Sequence, residues 1–293
     1  MLELLSSHAC HGGEQRFYRH ESQTIGLPMR FSVYLPPQAL QASQANASGK
    51  VPALFYLAGL TCTEETFAIK AGAQRFAAQH GVALVAPDTS PRGAGIPGES
   101  AAWDFGVGAG FYVDATQEPW ARHYRMYSYV RDELRETVLN ELPVDASRLG
   151  IFGHSMGGHG ALMLALRNPD IYRSVSAFAP IAAPTRCPWG EKAFTGYLGD
   201  DREAWKEYDA SELVARASSK FAEGILLDQG LADQFLADQF LAEQLYPDVF
   251  EAACRDAGQP LTLRRHAGYD HGYYFISTFI EDHIAHHAKV LLG

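Results

Sequence analysis

The chain has little cysteine and no long hydrophobic run. Its cysteines are scattered and include no C-x-x-C pair, which excludes a disulfide framework and a zinc-finger type of site: there are four, Cys10, Cys62, Cys187 and Cys254. No apolar stretch approaches the roughly 18 residues that a membrane-spanning helix needs. Residues 1–5 lack the basic start and long apolar core of a signal peptide. We therefore expect a cytoplasmic protein that does not enter a membrane.

Positive charge is also scarce. The sequence has 24 Lys and Arg against 34 Asp and Glu, a net charge of −10, and contains no basic run. This balance excludes the usual electrostatic footprint of a nucleic-acid-binding protein. No change in composition divides the chain, so we expect one domain spanning residues 1–293. Nothing in these patterns predicts a metal ion or a cofactor.

What the sequence does contain is an alternation of strand and helix patterns. Residues 11–38 are typical of an antiparallel β meander. Residues 51–57, 64–80 and 82–87 have the patterns of strand, helix and strand, a βαβ unit that implies a parallel sheet. The alternation continues to the end of the chain, with strands predicted at 148–152, 174–178, 225–228 and 261–265, and helices at 123–141, 158–167, 247–257 and 273–287. The prediction is an α/β protein whose central sheet is mostly parallel and flanked by helices.

Three segments lack a clear regular pattern. Residues 39–50 are small and polar and predict an exposed loop. Segments 88–120 and 181–220 are rich in Gly, Pro and aromatic residues, and we expect packed excursions above the sheet, with short helices in the second. Trp103 and Trp189 are candidates for pocket walls in these excursions, with ordinary core packing as the other interpretation.

A G-x-S-x-G sequence lies at 153–157, between an apolar strand pattern and a helical pattern. Strand, sharp turn and helix is the context of a nucleophile elbow, in which flanking glycines allow a strained turn that exposes the serine hydroxyl. Ser155 is therefore the candidate nucleophile. The other interpretation is a glycine-rich turn with a serine that has no catalytic role.

A serine hydroxyl needs a base and a group that orients that base. In proteins with this elbow, the chain order is serine, acid, histidine, and His271 lies between the last predicted strand and the last helix, where the base is expected. His154 and His159 are too close to Ser155 in sequence to reach its hydroxyl. Three histidines of the last helix are interpreted as solvated, His283, His286 and His287. His266 lies nearer to the interior of its strand.

The acid is expected after the strand that ends near Asp228. Residues 231–245 contain a five-residue repeat, L-A-D-Q-F, L-A-D-Q-F and L-A-E-Q-L, which is more compatible with a loop or an overwound turn than with a regular helix. Asp233 is the favoured acid, and Asp238 stays open because it has the same local sequence. Asp270 adjoins His271 and has poor geometry for the far ring nitrogen, and Asp228 is interpreted as a turn residue.

An oxyanion would need two N–H donors. The amide of Met156 follows the nucleophile, and the amide of Leu60 follows Gly59, which allows close approach of the backbone; both are predicted oxyanion-hole donors. Cys62 lies next to this loop and has two interpretations, a small buried side chain or an accessible thiol at the mouth of a pocket.

Several motifs are more specific than the elbow, and together they resemble the S-formylglutathione hydrolase (esterase D) family over nearly the whole chain. The motifs are Y-L-A-G-L-T-C-T at 56–63, W-D-F-G-V-G-A-G-F-Y-V-D at 103–114, M-Y-S-Y-V at 126–130, G-H-S-M-G-G-H-G-A-L at 153–162, C-P-W-G at 187–190 and G-Y-D-H at 268–271.

The resemblance implies an α/β-hydrolase fold, a cytoplasmic location and a homodimer. It implies hydrolysis of S-formylglutathione to glutathione and formate in formaldehyde detoxification, with side activity on small carboxyl esters and no cofactor. By position in the family motifs, Ser155 would be the nucleophile and His271 the base. The family's acid lies in a single Asp-Gln-Phe-Leu segment, and this chain has two, so counting from either side leaves Asp233 and Asp238 open. A general short-chain carboxylesterase and a catalytically silent scaffold are the alternative functions.

Overall fold

The computed structural model describes residues 2–44, 49–236 and 243–293. Its strands are β1 (Glu3–Cys10), β2 (Gly13–Glu21), β3 (Pro28–Leu35), β4 (Val51–Leu57), β5 (Ala83–Pro87), β6 (Val144–His154), β7 (Ser174–Phe178), β8 (Ile225–Gly230) and β9 (Leu261–His266). Its α-helices are α1 (Pro37–Gln44), α2 (Glu64–Lys70), α3 (Gln74–His80), α4 (Met126–Ser128), α5 (Arg135–Glu141), α6 (Met156–Arg167), α7 (Pro188–Leu198), α8 (Arg202–Trp205), α9 (Ala210–Arg216), α10 (Pro247–Ala257) and α11 (Tyr273–Leu292).

The described strands form one nine-stranded sheet in the order β1-β2-β3-β5-β4-β6-β7-β8-β9. The pairs from β1 to β5 along this order are antiparallel, and all pairs from β5 to β9 are parallel. Strands β4, β5, β7 and β8 are buried along their whole length, as expected for a parallel sheet covered by helices on both faces. The prediction of a mostly parallel α/β sheet preceded by an antiparallel meander is confirmed.

The parallel strands place their carboxyl ends along one edge of the sheet. Leu57 at the end of β4 pairs with Gly153 of β6, and His154 of β6 pairs with Phe178 at the end of β7. The loops after β4, β6, β7, β8 and β9 therefore begin side by side, which is where open α/β sheets bind ligands. Within the described ranges, no helix is both long and apolar enough to cross a bilayer.

Several predicted element boundaries are wrong. Strand β1 was not expected, because its residues are exposed or half-buried on both faces and show no apolar alternation. The helix predicted at 64–80 is interrupted near Gly72, whose φ of 66° cannot continue a helix. Helix α1 occupies part of the loop predicted at 39–50, of which residues 45–48 lie outside the described residues.

The longer helical segments also differ from expectation. The helix predicted at 123–141 contains a π-helical segment, Tyr129–Leu134, between α4 and α5. Strand β6 begins at Val144 rather than at residue 148, where the strand was predicted to begin. Helix α11 continues to Leu292 rather than ending at residue 287.

The interpretation of the α11 histidines as solvated is wrong for two of them. His283 and His287 are fully buried, whereas His286 is half-buried. Serine hydroxyls on β7 satisfy their rings: His287 lies 2.6 Å from Ser174 Oγ and 2.9 Å from Ser176 Oγ, and His283 lies 2.8 Å from Ser176 Oγ. A helical pattern does not reveal this, because the serines belong to a distant strand.

Asp228 is part of the same buried network and does not shape a turn, contrary to the sequence-based interpretation. It lies within β8, and Arg264 donates two hydrogen bonds to its carboxylate, at 2.6 and 2.5 Å. His283 Nε2 lies 3.3 Å from the same group. Burial disfavours the charged form, but the hydrogen bonds from His283 and Arg264 outweigh it and hold the pKa of Asp228 well below its usual range.

Asp228→Ala should destabilise the fold by about 3 kcal/mol, because the buried His283 loses its carboxylate partner and the half-buried Arg264 keeps only its outer pair with Asp282. Urea denaturation at pH 7 measures this. Asp256→Ala is the matched control. Asp256 pairs with Arg255, the two side chains are 73% and 72% exposed, and the pair should contribute less than about 1 kcal/mol to the free energy of unfolding. A loss as small as that of the control would contradict the role of the network.

The folded-state pKa of Asp228 is lowered, so its stabilisation is present above the unfolded pKa of about 4 and is lost as pH falls towards the folded value. The difference between the unmodified chain and Asp228→Ala should therefore shrink as the pH is lowered below about 4.

Candidate active site

Ser155 occupies a strained turn between β6 and α6. Its φ of 57° and ψ of −120° belong to a region that residues other than glycine rarely adopt. Its amide donates to Phe178 O at 3.0 Å, and its carbonyl accepts from the amide of His159 at 3.0 Å. These bonds tie the strained residue to β7 on one side and to the first turn of α6 on the other. This is the backbone geometry of a nucleophile elbow.

The glycines around Ser155 are required by packing. A Cβ atom on Gly157 would lie 1.9 Å from the carbonyl oxygen of Leu57, and one on Gly153 would lie 2.2 Å from Gly157 O. Helix α6 therefore begins in direct backbone contact with the end of β4. No other residue type fits these two positions without moving the backbone.

The two predicted oxyanion donors lie beside this turn. Met156 is the first residue of α6, so its amide has no partner within the helix. A Cβ atom on Gly59 would lie 3.2 Å from Ser155 Cβ, which places the Gly59-Leu60 loop against the nucleophile. Among the described residues, no hydrogen bond uses the Leu60 amide. Two unengaged N–H groups thus lie next to Ser155, as an oxyanion site requires.

The loop that carries Leu60 is held by hydrogen bonds on both sides. The amide of Thr61 donates to Gly108 O at 2.9 Å, and the amide of Cys62 donates to Gly59 O at 3.3 Å. Tyr112 donates its hydroxyl to Ala58 O at 3.0 Å. The excursion 88–120 therefore buttresses the loop, and the peptide orientation at Leu60 is set before any ligand binds.

His271 and Asp233 are joined by a short hydrogen bond. His271 Nδ1 lies 2.6 Å from Asp233 Oδ2, and both residues are less than a tenth exposed. Gln229 donates to the same oxygen at 3.1 Å, and the amide of Phe235 donates to Asp233 Oδ1 at 2.9 Å. With Nδ1 bonded to the carboxylate, Nε2 is the ring nitrogen left to exchange a proton.

Backbone contacts between the loops after β8 and β9 align this pair. The amide of Leu231 donates to His266 O at 2.9 Å, and the amide of Ala232 donates to Tyr269 O at 2.9 Å. The carbonyl of Tyr269 also lies where a side chain at Gly230 would be, 2.4 Å from its Cβ position. Asp233 and His271 therefore meet because adjacent parallel strands release their loops side by side.

His271 packs against His154, the residue next to the candidate nucleophile. The two imidazole rings are 4.4 Å apart, and His154 immediately precedes Ser155. Burial, and to a lesser extent the proximity of His271, lower the pKa of His154 well below its usual value, so this ring is neutral. No hydrogen bond joins Ser155 to His271 in the described part of the chain. Such bonds are often long in the absence of substrate.

The remaining sequence candidates have other positions. Asp270 accepts a hydrogen bond from the Gly272 amide at 2.8 Å, and Asp228 belongs to the buried network around Arg264. Asp238 lies outside the described residues. His159 is buried with Nε2 3.0 Å from Phe111 O, and burial lowers its pKa to about 4. His266 stacks on Phe279 at 3.8 Å between ring centroids.

An aromatic row extends outward from His271. Phe235 stands edge-on to the His271 ring at 4.7 Å, Trp189 lies 4.7 Å from Phe235, and Trp103 lies 5.3 Å from Trp189. Trp103 is 55% exposed, so the interpretation of this residue as ordinary core is wrong. Phe235 was not among the sequence candidates, although its place two residues after Asp233 was an available signal.

Cys62 is half-buried, between the two interpretations of its sequence position. Burial raises its pKa, so the side chain is a thiol rather than a thiolate at neutral pH. Among the described residues, no group of three His, Cys, Asp or Glu side chains is placed to hold a metal ion.

Gly157→Ala should destabilise the fold by about 3 kcal/mol or more, because its Cβ meets the Leu57 carbonyl oxygen rather than a movable side chain. Gly72→Ala is the control: its φ is positive, unlike that of Gly157, but no atom lies within 4 Å of its Cβ position, so only about 1 kcal/mol of strain is expected. Chemical denaturation compares them, and equal losses would mean that the contact with β4 does not constrain the turn.

Comparisons with known proteins agree with this geometry. The family model described as "Putative esterase" matches residues 22–286. The chain is 56% identical to the S-formylglutathione hydrolase of Mus musculus over 290 residues, which covers 99% of each chain. It is 54% identical to that of Arabidopsis thaliana over 291 residues, covering 99% of this chain and 98% of the relative.

The structure also resembles a solved S-formylglutathione hydrolase from Agrobacterium tumefaciens, with a TM-score of 0.91, 46% identity and 99% of each chain covered. This likeness confirms the predicted α/β-hydrolase fold. By sequence and by fold, the chain belongs to the S-formylglutathione hydrolase family of esterases.

Proposed function

We propose that this chain is a serine hydrolase that cleaves the thioester S-formylglutathione to glutathione and formate. Ser155 is the nucleophile, His271 the general base, Asp233 the acid that orients it, and the amides of Leu60 and Met156 the oxyanion hole. The observation that carries the proposal is the 2.6 Å bond between Asp233 and His271 beside the strained Ser155 turn. The names of the relatives, which are 56% and 54% identical to this chain, support the substrate.

Acylation begins when Ser155 Oγ attacks the formyl carbon and His271 Nε2 takes the hydroxyl proton. The negative charge that develops on the formyl oxygen is stabilised by the amides of Leu60 and Met156, which typically contribute about 3 kcal/mol each in such sites. Asp233 accepts a hydrogen bond from His271 Nδ1 and stabilises the imidazolium that forms.

Collapse of the tetrahedral intermediate breaks the carbon–sulfur bond, and His271 gives its proton to the departing thiolate of glutathione. A water molecule, deprotonated by His271, then attacks the formyl ester on Ser155. Formate leaves, and the proton returns to Ser155 Oγ. The buried, neutral His154 beside the base adds no competing positive charge as the imidazolium forms.

A formyl group needs very little space, so the acyl side of the site places few demands on shape. Selectivity for the substrate then depends on the contacts that the protein makes with the thiol carrier. Side activity on small carboxyl esters follows from the same chemistry, and the match to the esterase family supports it.

Three further properties belong to the proposal. The chain acts as one domain over residues 1–293, supported by a single sheet that includes both β1 and β9. It forms a homodimer, as the family resemblance implies. It works in the cytoplasm, supported by four cysteines that are all unpaired.

The unmodified chain should hydrolyse S-formylglutathione far more efficiently than p-nitrophenyl acetate. Ser155→Ala should lose about 10⁶-fold in kcat on both, because no other group can form the acyl-enzyme. Ser277→Ala, on the exposed face of α11, is the matched control and should retain full activity. Hydrolysis of the ester alone would indicate a general carboxylesterase. Hydrolysis of neither substrate would indicate a catalytically silent scaffold. A fully active Ser155→Ala would overturn the proposed mechanism.

Asp233→Asn should lower kcat by about 10⁴-fold, since the amide favours the wrong tautomer of His271. Asp238→Asn changes the same residue type in an identical five-residue sequence and should leave kcat unchanged. Steady-state kinetics with circular dichroism to check folding compares them. A greater loss in Asp238→Asn would move the role of the acid to that residue, and equal small losses would mean that neither is essential.

A further inference from the structure

The aromatic row that starts at the base ends beside an ion pair. Trp189 and Lys192 lie one turn apart on α7, and they contact the consecutive residues Trp103 and Asp104 of the 88–120 excursion. Lys192 Nζ donates to Asp104 Oδ1 at 2.5 Å. The loop and the helix therefore meet twice, once through two tryptophans and once through opposite charges.

The row is unusual because its outer end is open. Trp103 is 55% exposed although it is one of the largest apolar side chains, and large exposed aromatics often mark contact sites. The steps from His271 to Phe235, Trp189 and Trp103 are 4.7, 4.7 and 5.3 Å between ring centroids. A fully extended tripeptide spans about 10 Å, enough to cover the first two steps, from His271 to Trp189, which lies one turn from Lys192 on α7.

The ion pair has unused hydrogen-bonding capacity. An ammonium group has three donors and a carboxylate has two acceptor oxygens. In the described part of the chain, the bond to Asp104 Oδ1 is the only one made by Lys192 Nζ, and Asp104 Oδ2 accepts none. The lysine side chain is 46% exposed and the aspartate 14%. A positively charged hydrogen-bond donor and a negatively charged hydrogen-bond acceptor therefore lie side by side and are both available to a ligand.

We propose that Lys192 and Asp104 bind the γ-glutamyl end of the thiol carrier, with Lys192 holding its α-carboxylate and Asp104 its α-ammonium. This inference rests on the proposed function. The γ-glutamyl end carries both charges on one carbon, so it complements the pair, whereas the glycine end carries a carboxylate alone. The aromatic row from Phe235 to Trp103 supports the peptide between this end and the thioester.

The local charges fit this assignment. The chain has a net charge of −10, so an anionic ligand needs a local cation to hold it. Lys192 also borders a groove of about 540 Å³ whose other charged side chains, Glu191 and Arg202, are paired with each other at 3.0 Å. Lys192 thus places a positive charge at the boundary between this groove and the aromatic row.

The test compares Lys192→Met with the unmodified chain on S-formylglutathione. The variant keeps the length of the side chain and removes its charge, and we expect KM to rise about tenfold with kcat unchanged, which corresponds to about 1.4 kcal/mol. Inhibition by the product glutathione should weaken by the same factor. Hydrolysis of p-nitrophenyl acetate, which has no γ-glutamyl end, should be unaffected and shows that the variant is folded.

Two further variants control this result. Lys206→Met removes another lysine of similar exposure, 38%, that is paired with Glu203 at 2.8 Å, and it should change nothing. Asp104→Asn should also raise KM for S-formylglutathione, because it removes the partner of the ligand's ammonium. A purely structural ion pair would instead affect both substrates or neither.

The S-formyl thioester of N-acetylcysteinylglycine, whose blocked amine prevents transfer of the formyl group from sulfur to nitrogen, identifies the ligand group. It lacks the γ-glutamyl residue, so Lys192→Met and the unmodified chain should have equal KM values for it. A tenfold penalty that persists on this substrate would place the glycine carboxylate at Lys192 and overturn the assignment. An unchanged KM of Lys192→Met for S-formylglutathione would overturn this inference alone, whereas failure of the unmodified chain to hydrolyse S-formylglutathione would overturn the proposed function with it.

Discussion

The contact between the start of α6 and the end of β4 is the constraint on which the candidate site depends. With Gly157 placed against the carbonyl of Leu57, the chain must turn within a single residue, and that residue is Ser155 at a φ of 57°. The strain costs on the order of 1–3 kcal/mol and persists because the buried strands on both sides fix the ends of the turn. The same contact brings the unengaged amide of Met156 and the Gly59-Leu60 loop together.

Two aspartates only five residues apart have opposite electrostatic surroundings. The charge of Asp228 is balanced by two hydrogen bonds from Arg264, and it belongs to a network that anchors α11 under the sheet. Asp233 contacts no arginine or lysine among the described residues, and its cationic partner is His271 after protonation. A carboxylate that is not already neutralised stabilises a developing imidazolium best, so Asp233 is better suited than Asp228 to the proposed role of the acid.

Different parts of the two long excursions, 88–120 and 181–220, contact different parts of the candidate site. The inner part of 88–120 supports the Gly59-Leu60 loop through Gly108 and Tyr112, and its outer part carries Trp103 and Asp104 to α7. The formyl group needs little recognition, so the surface available for selecting a substrate is on the thiol side. Trp103 and Asp104 come from the first excursion, Trp189 and Lys192 come from the second, and Phe235 comes from the loop after β8, so no single segment could form this surface alone.

The sequence by itself determined the α/β class, the parallel sheet, and Ser155 and His271 as candidates, because each depends on local patterns: apolar periodicity, the glycines of a strand–turn–helix, and chain order. It could not separate Asp233 from Asp238, since the repeat gives both the same neighbours. Only the tertiary structure placed Asp233 against a histidine 38 residues away, because that contact depends on the adjacency of β8 and β9. For the same reason it alone decided that His283 and His287 are buried, since the serines that satisfy them lie on β7.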